Sequence, residues 1–236
     1  MPYLLLGMMI LCAFTAKAGM DPQLLKQTIT ARLGVPVYMV DQTPIPGLYQ
    51  LGTAQGVLYS NANGDYLIRG VMLDMTRDMK NLTVADMQNQ RRLGLAQVEH
   101  DPILLKSPEE RHRVALFLGE RDAAQRQLPA ALQQLQASGV SIELYPVISH
   151  SARAEDWCHD PLLQYDPFKA YLPQTACRET LTFNIGLSQW LGVKVLPAWV
   201  SSDGKLIRGY QSPDQLLKIL SQHAEATTNS SPSTSG

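Results

Sequence analysis

The stretch Val114-Ala115-Leu116-Phe117-Leu118 constrains the fold more than any other part of the chain. Five apolar residues in unbroken succession suit a strand buried on both faces, because neighbouring side chains point to opposite sides of a sheet. Such a strand needs a covering layer above and below it, and the elements that follow can supply both. Asp122 to Ala137 is helix-prone and closes at Ser138-Gly139, and Val140 to Val147 is a second strand. Residues 152 to 191 read as largely helical. Leu196 to Ser201 and Leu206 to Arg208 are two more strands about the turn Asp203-Gly204. A last amphipathic helix runs from Asp214 to about His223, opened by Ser212-Pro213 in the manner of a helix start. The second half of the chain is therefore a layered α/β unit.

The first half is organised differently. Leu24, Leu25, Ile29 and Leu33 recur at near-helical spacing, so residues 21 to 33 form a short helix that Gly34 and Pro36 stop. Leu48 to Leu51, Val57 to Ser60 and Tyr66 to Arg69 read as short strands, with Asn63-Gly64 as a two-residue hairpin turn between the last two. Residues 20–80 thus make a small α+β unit whose open strand edges offer a pairing surface. From Val84 to about Glu99 the chain is polar and helix-prone until Asp101-Pro102 ends it. Residues 81–101 are read as a linker helix, a connecting stalk between the two units, with a surface helix packed on one domain as the alternative. The second unit covers 102–223. The Ser/Thr-rich tail 224–236 carries no apolar anchors and is expected to be disordered.

Residues 1–18 read as a cleaved export signal, with an apolar core from Leu4 to Ala16 and an A-x-A site at Ala16-Lys17-Ala18. The apolar stretch is shorter than the roughly 20 residues a membrane span needs, so no stable membrane anchor is expected. A net charge of -1 and the lack of any Lys/Arg run give no footing for nucleic acid as a partner. Removal of the leader takes Cys12 and leaves Cys158 and Cys177. An even number in an exported chain suggests a disulfide, since that compartment is oxidising. Two free buried thiols are the alternative. A zinc site borrowing His150 or His159 matches no recognised ligand spacing, so no metal and no other cofactor is expected.

Three stretches carry a resemblance. Gly56-Val57-Leu58-Tyr59 with Asn63-Gly64, Tyr66-Leu67-Ile68-Arg69-Gly70 and Asp74 is the first. The second is Leu196-Pro197-Ala198-Trp199-Val200, continuing through Asp203-Gly204-Lys205 to Gly209-Tyr210-Gln211-Ser212-Pro213. The third is Trp157-Cys158 with Cys177. Together they resemble the bacterial periplasmic disulfide isomerases of the DsbC/DsbG type. The resemblance implies an amino-terminal dimerisation domain, a linker helix, and a thioredoxin-like fold with a helical insert. It also implies a periplasmic homodimer through residues 20–80 with an apolar cleft, a cis bond at Pro197 beside the active site, and a structural, non-catalytic bridge between Cys158 and Cys177. The cis-proline groove would be bounded by Leu196 and Pro197, with Leu196 standing where the family usually has Thr. That apolar side chain would make the groove greasier, or would fill space left by lost cysteines.

The departure lies at the chemistry. In such proteins the strand ending at Phe117 leads into C-x-x-C at the start of the next helix; here the corresponding residues are Asp122-Ala123-Ala124-Gln125, and the chain contains no C-x-x-C. Thiol–disulfide exchange needs a thiolate to attack a disulfide sulfur, and neither Asp nor Gln replaces it. Asp122 with Gln125 three residues on is a capping-box pattern, which points to a helix start kept for structure. A carboxylate-based activity of Glu120 or Asp122 has no partnering His or metal cluster, so no catalytic residue is assigned. Trp190, Trp199, Tyr145 and Met72, Met75 and Met79 are taken as core or interface packing.

Three functions follow. The leading one is a redox-inactive dimeric chaperone or assembly scaffold that holds unfolded or partly folded periplasmic proteins, with a conjugation or secretion apparatus as a specialised host. The alternative is a thiol:disulfide interchange protein acting through Cys158 and Cys177, as family membership suggests. The third is a decaying paralogue without a selected role.

Overall fold

A computed structural model describes residues 21–98, 102–119, 127–148 and 177–228. Residues 1–20, Glu120, Asp122, Gln125, His150, Trp157, Cys158 and His159 lie outside the described residues.

In the first unit, helix α1 (Pro22–Leu33) starts at Asp21, whose carboxylate accepts from the Gln23 amide, and ends at Gly34 with a left-handed φ of 66°. Strands β1 (Val37–Gln42), β2 (Leu48–Thr53), β3 (Gly56–Asn61) and β4 (Leu67–Ile68) form an antiparallel meander in that order. Leu25 and Ile29 of α1 pack on Val37, Leu51 and Leu58 of the sheet, forming a small core. The Asn63-Gly64 turn is wider than the two-residue hairpin expected. Pairing ends at Ser60 and Leu67. The Asn61 side-chain carbonyl accepts from the Asp65 and Tyr66 amides at 2.8 and 3.1 Å, closing the loop from within. Strand β1 has no counterpart among the expected elements. A short hairpin, β5 (Leu73–Asp74) and β6 (Lys80–Asn81), leads into helix α2 (Leu82–Ala96), where the Asn81 side chain accepts from the Val84 amide.

The second unit contains β7 (Ile103–Leu105), β8 (His112–Leu118), α3 (Leu128–Ala137), β9 (Val140–Pro146), α4 (Cys177–Trp190), β10 (Ala198–Ser201), β11 (Leu206–Arg208) and α5 (Pro213–Thr228). Its five-stranded sheet has the order β11-β10-β8-β9-β7, with β8 and β9 parallel and the other pairs antiparallel. The expected thioredoxin-like domain is present. Central β8 explains its own composition: Val114, Leu116 and Leu118 face one cluster with Leu128, Leu132 and Leu135 of α3 and Leu216 and Leu220 of α5. Ala115 and Phe117 face the opposite cluster, with Leu187, Leu191 and Val193 on and just beyond α4. Burial on both faces is why no polar residue interrupts the run.

Two features differ from expectation, while the Asp122/Gln125 capping box lies outside the described residues. Helix α5 runs to Thr228, so residues 224–228, assigned to a structureless tail, are helical. Ala224, Glu225 and Ala226 are good helix formers, and they extend a helix already anchored through Leu216 and Leu220. Finally, α2 connects the two units but is not a bare stalk. Its Leu95, and Val98 just beyond it, pack against the second unit's own apolar cluster.

Candidate functional site

The site indicated by the sequence lies at the end of β8, where the chain passes from Leu118 to Gly119 beside the segment entering β10. The Leu196–Pro197 peptide bond is cis. Pro197 is buried, and its carbonyl accepts from the Gly209 amide at 2.8 Å, which ties the segment to the far side of the β10–β11 hairpin. Register then follows: Ala198 pairs with Phe117 and Trp199 with Leu116. Leu196 is half-buried and leans over Gly119, where an added Cβ would stand 3.0 Å from its Cδ1 and 3.1 Å from its Cβ. Leu196 thus covers the space above Gly119 while keeping part of its surface open.

Behind this end of the sheet, Phe117 and Tyr145 stack with ring centroids 5.0 Å apart. Burial, then the neighbouring Glu143 carboxylate, raise the Tyr145 hydroxyl pKa, so it stays protonated at any ordinary pH. The Val147 amide donates to the Leu118 carbonyl at 2.7 Å, and the buried Asn184 amide donates to the Pro146 carbonyl at 3.0 Å. The described part of the site is therefore backbone and apolar surface. It presents no group able to attack a disulfide sulfur.

Of the residues singled out from the sequence, the structure brings Leu196 and Pro197 together with the end of β8. Asp122, Gln125 and Cys158 lie outside the described residues. Cys177 is the first described residue of α4. Among the described residues no three His, Cys, Asp or Glu side chains are grouped to hold a metal ion, and no helix is long and apolar enough to cross a membrane.

Two features add to what the sequence indicated. One is a cavity of about 680 Å³ at the junction of the two units, walled by Tyr38, Val98, Phe183, Leu187 and Trp190. Tyr38 and Trp190 meet there with ring centroids 5.8 Å apart. The other is an exposed apolar surface along β4 and the β5–β6 hairpin. Tyr66 is 74% exposed, Ile68 52%, Val71 63% and Met75 75%. Strand β4 is an edge strand, so this surface accompanies backbone groups free to pair. The strand run at Tyr66–Arg69 was legible; that both of its faces would remain uncovered in a single chain was not.

Residues 16–84 match the family described as disulfide bond isomerase protein N-terminal domain. The thiol:disulfide interchange protein DsbC of Escherichia coli (strain K12) is 26% identical over 230 residues, covering 93% of this chain and 95% of its own. The protein of the same name from Dickeya dadantii is 27% identical over 225 residues, covering 89% and 91%. Among solved structures, the catalytic domain of Proteus mirabilis ScsC aligns with 58% of this chain and 99% of its own, at 19% identity and a TM-score of 0.42.

Proposed function

We propose that this DsbC-type chain is a redox-inactive relative of the disulfide isomerases, exported to the periplasm, where it works as a homodimer that holds unfolded or partly folded proteins. The observation that carries the proposal is chemical: the sequence has no C-x-x-C, while the amino-terminal domain is retained. A disulfide isomerase needs a nucleophilic sulfur at the helix start that follows its central strand. In this chain the sequence there reads Asp122-Ala123-Ala124-Gln125. What remains useful is surface. The uncovered edge at Tyr66 to Ile68 supports self-pairing, and a dimer doubles the apolar area presented to a client.

In this account Cys158 and Cys177 form a structural bridge. A link closing a loop of that size stabilises a fold by about 3 kcal/mol in the chain-entropy model. Leu196 and Pro197 form part of a client-facing groove without taking part in chemistry.

The holding function is tested on a reduced, denatured client diluted into buffer with the mature protein. Light scattering is expected to be suppressed as the molar ratio approaches roughly one dimer per client, as for any stoichiometric holdase acting by mass action. Undiminished scattering at a large excess of the protein would contradict the proposal.

A further inference from the structure

The carboxyl end of α4 is finished by the linker helix. Gly192, at φ 69°, terminates α4 in a left-handed turn. The Val193 amide donates to the Ser188 carbonyl at 2.8 Å and the Gly192 amide to the Gln189 carbonyl at 3.1 Å, a Schellman closure. That closure leaves the carbonyls of Trp190 and Leu191 to be satisfied from elsewhere. Both are taken by α2. The Gln90 side-chain amide donates to the Trp190 carbonyl at 2.8 Å, and Arg91 Nε donates to the Leu191 carbonyl at 2.9 Å. A second guanidinium nitrogen of Arg91 reaches the Gly204 carbonyl, in the β10–β11 turn, at 3.3 Å.

Arg91 is only 5% exposed, and no carboxylate pairs with it among the described residues. Burial, with a smaller repulsion from Arg208, lowers its pKa to about 10, which still leaves it charged at neutral pH. A buried unpaired cation is costly unless something offsets it. The offset here is the carboxyl end of α4, which carries roughly half a negative charge in its unpaired carbonyls.

The surfaces on either side fit closely. A Cβ on Gly94 of α2 would lie 2.6 Å from Leu191 Cδ2. One on Gly204 would overlap the Gln88 carbonyl oxygen of α2. The contact therefore depends on a bare backbone on both partners. Gln90 also abuts the first unit, its side-chain oxygen 2.5 Å from where a Cβ on Gly52 of β2 would be. The Lys194 ammonium adds a bond to the Gln55 carbonyl at 3.4 Å.

We propose that α2 is a latch: Gln90 and Arg91 cap the end of α4, and Gly94 and Gly204 let the backbones close, so that both units of one chain keep a single fixed orientation. The latch rests on contacts within one chain and not on any client or redox assignment. In a dimer paired through the first unit, it fixes where each second unit stands relative to the symmetry axis.

The test is a pulsed electron-spin distance measurement between labels carried on unnatural amino acids at exposed Gln27 of α1 and Gln215 of α5. Such labels leave the native cysteines untouched, and dilution into excess unlabelled protein removes distances between chains. The unsubstituted protein is expected to give one narrow distance. Arg91→Met, which keeps the stem and removes the donors, is expected to widen the distribution roughly twofold or more, as for a freed hinge. Gly94→Leu is expected to do the same with Arg91 intact. A broad distribution in the unsubstituted protein overturns the latch whatever the variants do, and so does an unchanged narrow distance in either folded variant.

Discussion

A chain carrying Ile68→Lys is expected to sediment as a monomer at concentrations where the unsubstituted chain sediments as a dimer. Ile68 is one of the two residues of β4, the edge strand of the first sheet, and it is 52% exposed. Pairing of two β4 edges about a two-fold axis would continue the sheet across the dimer, and would cover Tyr66, Ile68 and Val71 from both chains. A lysine there acts twice. It removes apolar area worth about 1.5–3 kcal/mol for one fully buried side chain, and the two-fold axis doubles that loss. It also brings two like charges towards each other, the device natural edge strands use to avoid pairing. Together these weaken dimerisation by a factor of roughly a thousand or more, since about 1.4 kcal/mol is tenfold. The monomer itself should fold normally, because substitutions at exposed sites stay within about 0.5 kcal/mol. Sedimentation equilibrium with circular dichroism on the same samples separates loss of pairing from loss of fold. An unaffected dimer would move the interface elsewhere.

Trp199→Ala is expected to cost about 3–5 kcal/mol, a large share of the roughly 5–15 kcal/mol that holds a domain together. Trp199 is wholly buried on β10, paired to Leu116 of β8 on one side and Ile207 of β11 on the other. It packs in the cluster that joins the sheet to α3 and α5. Its indole N–H has no acceptor among the described residues. An unsatisfied buried donor carries a penalty of about 1–3 kcal/mol, so Trp199→Phe removes that penalty along with some packing. The phenylalanine variant is therefore expected to lose less than half as much as the alanine variant. Urea unfolding followed by circular dichroism measures both. Equal losses for Phe and Ala would mean that the indole N–H is satisfied after all.

The second unit was legible because its signals are local. An unbroken apolar strand at Val114–Leu118, a glycine turn at Asp203-Gly204 and a Ser-Pro helix start each act within a few residues. Strands β1 and β7 were missed for the same reason inverted. Val37–Gln42 and Ile103–Leu105 are an outer strand and a three-residue edge, and their pairing partners rather than their own composition define them. The docking of α2 was hidden more deeply. Gly94 within a polar helix was the one available hint, since a glycine in a helix interior costs about 1 kcal/mol and tends to have a packing reason. The Gln90 and Arg91 bonds reach carbonyls 100 residues further on, and a carbonyl leaves no mark in a sequence. At the site, Leu196 and Pro197 were found through the resemblance rather than through physics, because an X-Pro bond is cis in only about 5–6% of cases.

The central claim is that the chain has lost thiol–disulfide chemistry, and the most direct measurement is reactivation of scrambled ribonuclease by the mature protein beside a Cys158→Ser variant. No recovery of ribonuclease activity above background by either protein is the result predicted here. Recovery by the unsubstituted protein that disappears in Cys158→Ser would contradict it, and would make Cys158 and Cys177 a catalytic pair.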